Sequence, residues 1–209
     1  MKTIRVVVGS MTMAMVLTGH TVGHATPNPT ETVSSTIATV MNILNDPLFQ
    51  QPGKSEERRA AIEEVVRNSV SYQDMARHSL GIAWWGLSEP EQLHFIDLFV
   101  QVLRDAVACR VNDYSETQVV FLSEQRDGNL AEVRTLFKGN KADTVINVRL
   151  VNRSGQWLMY DAVIDDVRVV ENYRAQFDQV MRDVSYVGLI DRLEARTLVR
   201  KNFERTLTR

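Results

Sequence analysis

From residue 33 onward, apolar side chains recur at helical spacing, with Val33, Ile37, Val40, Met41 and Leu44 on one face. Pro47 ends that run, because proline cannot donate the next helical hydrogen bond. A Gln-Pro-Gly-Lys turn follows, and Ser55-Glu56-Glu57 opens a second predicted helix that buries Ile62, Val65 and Val66. Its charges, Glu56 to Arg59 with Glu63, Glu64 and Arg67, read as a solvated face supported by (i, i+4) pairs. Residues 72–80 predict a short helix with Gly81 as its C-cap. Ser88-Glu89-Pro90-Glu91 has the form of a capping box, so a long helix should start there, with Ile96, Phe99, Val100, Leu103, Val107, Val111 and Tyr114 as its buried stripe.

The period changes after Tyr114. Residues 117–124, 130–137, 144–151 and 156–164 are β-rich and separated by Asp127-Gly128-Asn129, Gly139-Asn140 and Ser154-Gly155, so short connections predict an antiparallel meander. Strand parity puts Val133, Thr135, Phe137, Ile146, Val148, Trp157, Met159 and Val163 on one face, and Glu132, Arg134, Asn147 and Arg149 on the other. A helix after Asn172 carries Tyr173, Phe177, Val180 and Met181, and a last helix carries Leu189, Ile190, Leu193 and Leu198. Helices, then a four-stranded antiparallel sheet, then helices give an α+β fold in one domain. Of the adjacent Trp84 and Trp85, one should pack inward and the other cover the surface or a pocket mouth, because neighbouring side chains point apart.

The N-terminus adds a destination. Lys2 and Arg5 precede a short apolar stretch over residues 6–17, and Gly23-His24-Ala25 is a small-x-small cleavage site, so residues 1–25 read as a signal peptide and 26–209 as the mature domain. The stretch is interrupted by Gly9, Ser10 and Thr12 and falls short of the roughly 20 apolar residues of a spanning helix. Residues 26–30 read as a Pro-rich leader. Removing Lys2 and Arg5 takes the formal net charge from -2 to -4, with 22 basic against 26 acidic residues, which argues against nucleic-acid binding. With Cys109 the sole cysteine, no intrachain disulfide can form, and stability must come from packing. Cys109 falls inside the long helix and reads as a buried structural thiol.

Catalytic chemistry finds little foothold. There is no Gly-x-Ser-x-Gly elbow and no Gly-rich phosphate loop, and the mature chain holds only His78 and His94, too few and too scattered for a zinc site. Asp165-Asp166 lacks the further oxygen ligands of a calcium loop. Neither a metal nor another cofactor is expected. Asp161, on the apolar parity of its strand, leaves two readings open: a general base with a raised pKa, or a structural carboxylate bound to backbone or to an arginine. Arg134 and Arg149 read as surface charges or as groups at a cavity mouth.

Residues 157–177, WLMYDAVIDDVRVVENYRAQF, carry a resemblance. Trp157, Tyr160, Asp161, Ile164, Val167, Asn172, Tyr173, Arg174, Gln176 and Phe177 resemble the C-terminal signature of the MlaC, or toluene-tolerance, family of periplasmic phospholipid-binding proteins, and Met75, Ala76, Leu80, Gly81, Trp84, Glu91, Gln92 and Phe95 resemble its central segment. One position departs: Asp166 stands where the family has glycine, and Asp tolerates a positive φ better than most residues. The resemblance implies a non-enzymatic, monomeric carrier that holds acyl chains in an apolar cavity between a curved sheet and helices. The lining it implies is Leu80, Trp84, Phe95, Phe99, Leu103, Val133, Phe137, Ile146, Val148, Trp157, Met159, Val163, Val167, Tyr173 and Phe177, with Arg134 and Arg149 as headgroup candidates. Implied partners are an inner-membrane ABC transporter complex with an MCE-domain ring and an outer-membrane lipoprotein and porin complex, a route that maintains outer-membrane lipid asymmetry. The alternatives are a carrier of another lipid, such as a hopanoid, and an enzyme with a cone-shaped pocket that uses Asp161.

Overall fold

The computed structural model describes residues 28–108, 117–139 and 142–207, and the side chains of these except 107, 108 and 199–207. Cys109, Val111 and Tyr114, Asn140 of the expected Gly139-Asn140 turn, the side chain of Val107, and residues 1–27 with the signal peptide lie outside that description. The described residues form helices α1 (Pro29–Asn45), α2 (Ser55–Ser69), α3 (Tyr72–Leu80), α4 (Glu89–Ala108) and α5 (Val169–Leu207) and strands β1 (Gln118–Asp127), β2 (Leu130–Lys138), β3 (Asp143–Arg153), β4 (Gln156–Ile164) and β5 (Val167–Arg168). The strands pair in chain order, each antiparallel to the next, so the α+β meander holds with a fifth, two-residue strand added.

Local chemistry sets the boundaries. α1 starts inside the expected leader, because the Asn28 side chain accepts from the Glu31 backbone N–H while Glu31 reaches back to the Asn28 N–H, a capping box closed by Asn. α4 starts at the predicted box, with Glu91 Oε2 accepting from the Ser88 N–H at 2.8 Å. Its buried stripe is Phe95, Leu98, Phe99 and Val102, turned one residue from the expected one, with Ile96 and Leu103 at its margin. Gly81 caps α3 at φ 57°, ψ −123°, a conformation that favours glycine, and an added Cβ would lie 2.8 Å from the Arg174 guanidinium, which would have to shift.

Two features of β4 redirect side chains. Arg149 pairs with Asp161 but Leu150 pairs with Met159, which leaves Tyr160 as an extra residue in a β-bulge. Trp157 and Met159 therefore stay on the face of Leu150 and Val148, while Asp161 and Val163 pass to the opposite face beside Arg149 and Asn147. This corrects the uniform parity for Val163 and Asp161, since Ala162 and Ile164 take the places opposite Val148 and Ile146. β4 and β5 are then joined by Asp165 and Asp166 at φ 46° and 66°, the left-handed pair of a tight hairpin. At Asp166, where the family has glycine, the aspartate takes the positive φ that it tolerates.

Candidate functional site

Apolar side chains gather in two assemblies that share no buried member. The first is helical: Ala76 and Leu80 of α3, Trp84 of the following 3-10 turn, Phe95, Leu98, Phe99 and Val102 of α4, and Phe177, Leu189 and Leu193 of α5. Its centre is aromatic. Phe95 and Phe99 stack at 5.8 Å, Phe177 meets their edges at 5.7 Å from each, and Tyr173 packs edge-on to Phe99 at 5.3 Å, the offset and T-shaped geometries that ring quadrupoles favour. Leu103 joins from the margin.

The second assembly is the sheet face covered by α1: Ala131, Val133, Val148, Leu150 and Trp157 under Val33, with Ile37, Phe121, Ile146 and Met159 around them. The Arg126 guanidinium lies 5.9 Å from the centre of the Trp157 ring. Glu124 of β1 fixes the start of α1 by accepting from the Thr30 N–H at 2.9 Å and its hydroxyl at 2.6 Å.

Of the expected lining residues, Leu80, Trp84, Phe95, Phe99, Leu103, Tyr173 and Phe177 fall in or against the helical assembly, and Val133, Ile146, Val148, Trp157 and Met159 in or against the sheet assembly. Phe137 is buried outside both, Val163 is half-buried on the opposite sheet face, and Val167 is 56% exposed on β5. The tryptophans divide as expected, Trp84 buried and Trp85 71% exposed. Sequence reasoning passed over Leu98, Val102 and Leu150; the first two would have emerged from an (i, i+3, i+4, i+7) count started at Phe95.

Polar side chains hold the assemblies in place. Asp74 of α3, almost fully buried, takes Arg153 of β3 in a two-pronged bond at 2.6 and 3.2 Å, Arg77 at 2.8 Å and the Ser71 hydroxyl at 2.7 Å. Burial pushes its pKa up, but the hydrogen bonds from Arg153 and Ser71 and the charges of Arg153 and Arg77 outweigh this and hold it below the ordinary carboxylate value. Asp161 accepts the Ala162 and Val170 backbone N–H groups on one oxygen, at 2.8 and 3.0 Å, and its other oxygen lies 3.8 Å from Arg149. That is the geometry of a helix-anchoring carboxylate. Arg149 also bonds Glu132 at 3.0 Å, so its charge is engaged by two acids, whereas Arg134 is exposed. Burial likewise pushes the phenol pKa of Tyr160 up, and its ring lies 5.2 Å from that of His78.

The surface carries a concavity of about 450 Å³ that notches α5 over Val184, Ser185, Val187, Gly188, Asp191 and Arg192, and one of about 230 Å³ against β1 to β4 beside Arg149 and Tyr160. Neither is lined by residues of both apolar assemblies. Among the described residues, no cluster of three or more His, Cys, Asp or Glu side chains could hold a metal ion, and no helix is long and apolar enough to cross a membrane.

The fold matches a phospholipid-binding protein from Ralstonia solanacearum, solved in complex with a phospholipid, with a TM-score of 0.71 at 20% identity over 79% of this chain and 94% of that one. Among curated protein sequences none matches. The signature of the family described as MlaC protein matches residues 34–195, a span that takes in α3, α4, the whole sheet and the aromatic part of α5, and the chain belongs to that family.

Proposed function

We propose that the protein is a periplasmic phospholipid carrier that receives acyl chains between its helical and sheet assemblies. The observation that carries this reading is the family match over residues 34–195, and it is supported by two large apolar assemblies that share no buried member. A diacyl lipid exposes roughly 30 methylenes at about 0.8 kcal/mol each, so crossing water unaided costs on the order of 20 kcal/mol, and a carrier removes that penalty by shielding alone. No bond need be broken. Release requires that the contacts be apolar and adaptable, which suits Phe, Leu, Val and Met side chains better than a fixed polar cage.

In this reading the chain is exported, loses residues 1–25, and exchanges lipid with an inner-membrane ABC transporter complex bearing an MCE ring and an outer-membrane lipoprotein and porin complex, maintaining outer-membrane asymmetry. The polar headgroup stays near solvent, and exposed Arg134 is the better placed of the two arginines to meet it, because Arg149 is engaged by Glu132 and Asp161. Mass spectrometry of organic extracts from purified exported protein tests the proposal. Stoichiometric phospholipid is expected. A polycyclic lipid in its place would redirect the reading to another cargo, and an empty protein that also fails to take lipid from vesicles would refute it.

A further inference from the structure

α5 runs from Val169 to Leu207 but is broken at Ser185, whose φ of 66° and ψ of 178° lie in a region that is essentially glycine-only. At the break an added Cβ on Gly188 would lie 2.6 Å from Cγ2 of Val184, so the turns before and after it approach closely. Both residues also line the open notch of about 450 Å³ on the surface of the helix. Beyond the break, Leu189 and Leu193 are 2% and 7% exposed and close the helical assembly over Phe95, Phe99 and Phe177. Few polar contacts tie this part to α4: the Tyr186 hydroxyl donates to the Glu91 carbonyl at 3.3 Å, and His94 meets Glu194 at 2.9 Å, both at the surface. Burial, with help from Glu91, pushes the Tyr186 phenol up to about 12, so it remains a donor throughout the neutral range.

From this arrangement we propose that the helix beyond Ser185 is a hinged lid on the helical assembly, closed in this structure and held closed against backbone strain. The inference rests on the carrier reading and names the part that moves. Swinging residues 186–198 outward withdraws Leu189 and Leu193 and uncovers the aromatic floor of Phe95, Phe99 and Phe177, while residues 169–184 stay anchored by Tyr173, Phe177 and the Asp161 bond to Val170. Opening lets Ser185 relax into ordinary helical angles. Strain in the closed form thus offsets part of the apolar contact that opening breaks, and the lid moves at lower cost than a continuous helix would.

Two substitutions at one exposed position push the equilibrium in opposite directions. Ser185→Gly removes the strain of the closed form and weakens the straight helix, so it favours closure; Ser185→Ala keeps the strain and favours the straight helix. Each full-length exported variant is loaded with a phospholipid carrying a fluorophore on one acyl chain, and release into vesicles of phosphatidylethanolamine and phosphatidylglycerol is timed. Ser185→Gly should slow release about tenfold, the factor for about 1.4 kcal/mol of relieved strain, and Ser185→Ala should speed it about twofold. Amide hydrogen exchange of residues 186–198 in the lipid-free protein should shift in the same directions. Release at the wild-type rate in both variants, shifts of the same sign, or altered exchange without altered release would each overturn the lid. A wild-type protein that retains no lipid refutes the carrier reading instead, and the exchange data alone then decide whether the hinge exists.

Discussion

Replacing Asp161 separates a carboxylate that anchors from one that reacts. In Asp161→Asn the amide oxygen can keep both backbone bonds, now 2.8 and 3.0 Å, but the charge is lost and the amide NH₂ turns toward the Arg149 guanidinium, 3.8 Å away. Arg149 still has Glu132. The loss is then that of charge assistance and one long ion pair, about 1–2 kcal/mol. Asp161→Ala is worse, because it strands two N–H groups, and that of Val170 belongs to a residue only 3% exposed that water cannot reach. At about 1–3 kcal/mol for each orphaned donor, the cost is about 2–6 kcal/mol. With a urea slope of about 2 kcal/mol/M, the midpoint should fall by about 0.5–1 M for Asn and about 1–3 M for Ala, with the slope unchanged. Asp161→Asn protein should carry lipid near the wild-type level and restore the outer-membrane barrier in a strain lacking the gene. An Ala variant no less stable than the Asn variant would refute the anchoring geometry. A stable, lipid-loaded Asn variant that fails to restore the barrier would instead show that the carboxylate has an active role.

Acid should find Asp74 next. Because its folded pKa lies below the unfolded value of 3.8, its contribution is complete above that value and disappears as pH falls through the lower folded pKa. Urea midpoints of wild type and Asp74→Asn should therefore differ at pH 7 and converge below pH ~4; parallel curves across that window would assign the acid loss to other groups. At the α3 terminus, Gly81→Ala must place a methyl group 2.8 Å from the Arg174 guanidinium at φ 57°, so it should destabilise by about 1–3 kcal/mol. A thermal midpoint unchanged by that substitution would show that Arg174 moves aside freely and that the turn relaxes.

The helices were legible in the sequence because each combines a periodic apolar face with a local stop or start: Pro47 after Leu44, Gly81 after Leu80, Ser88 and Glu91 before Phe95. Two hairpin turns were legible for the same reason, Gly128 taking φ 55° and Ser154 and Gly155 φ 52° and 90° where the sequence called for tight turns. The α1 start was missed because proline-rich composition was read without testing Asn28 and Glu31 as a capping pair. The turned stripe of α4 has another cause. A 3.6-residue period leaves neighbouring positions almost equally apolar in Phe95-Ile96 and Phe99-Val100, and only the tertiary packing against Phe177 and Leu189 selects Phe95 and Phe99 as its centre.

The β4 bulge was illegible on principle, since alternation assumes one residue per step and nothing in Met159-Tyr160-Asp161 marks the extra one. Yet much of the site depends on it. Without Tyr160 as the unpaired residue, Asp161 would face α1 and the apolar sheet assembly; with it, the carboxylate turns to the other face and reaches the N–H of Val170 in the first turn of α5. That bond fixes where α5 starts. A helix places residues three, four and seven positions on along one stripe, so anchoring Val170 also points Tyr173 and Phe177 in the direction from which they meet Phe95 and Phe99. One inserted residue in a strand thus decides which aromatic groups gather in the helical assembly, and it keeps a carboxylate away from the apolar sheet face.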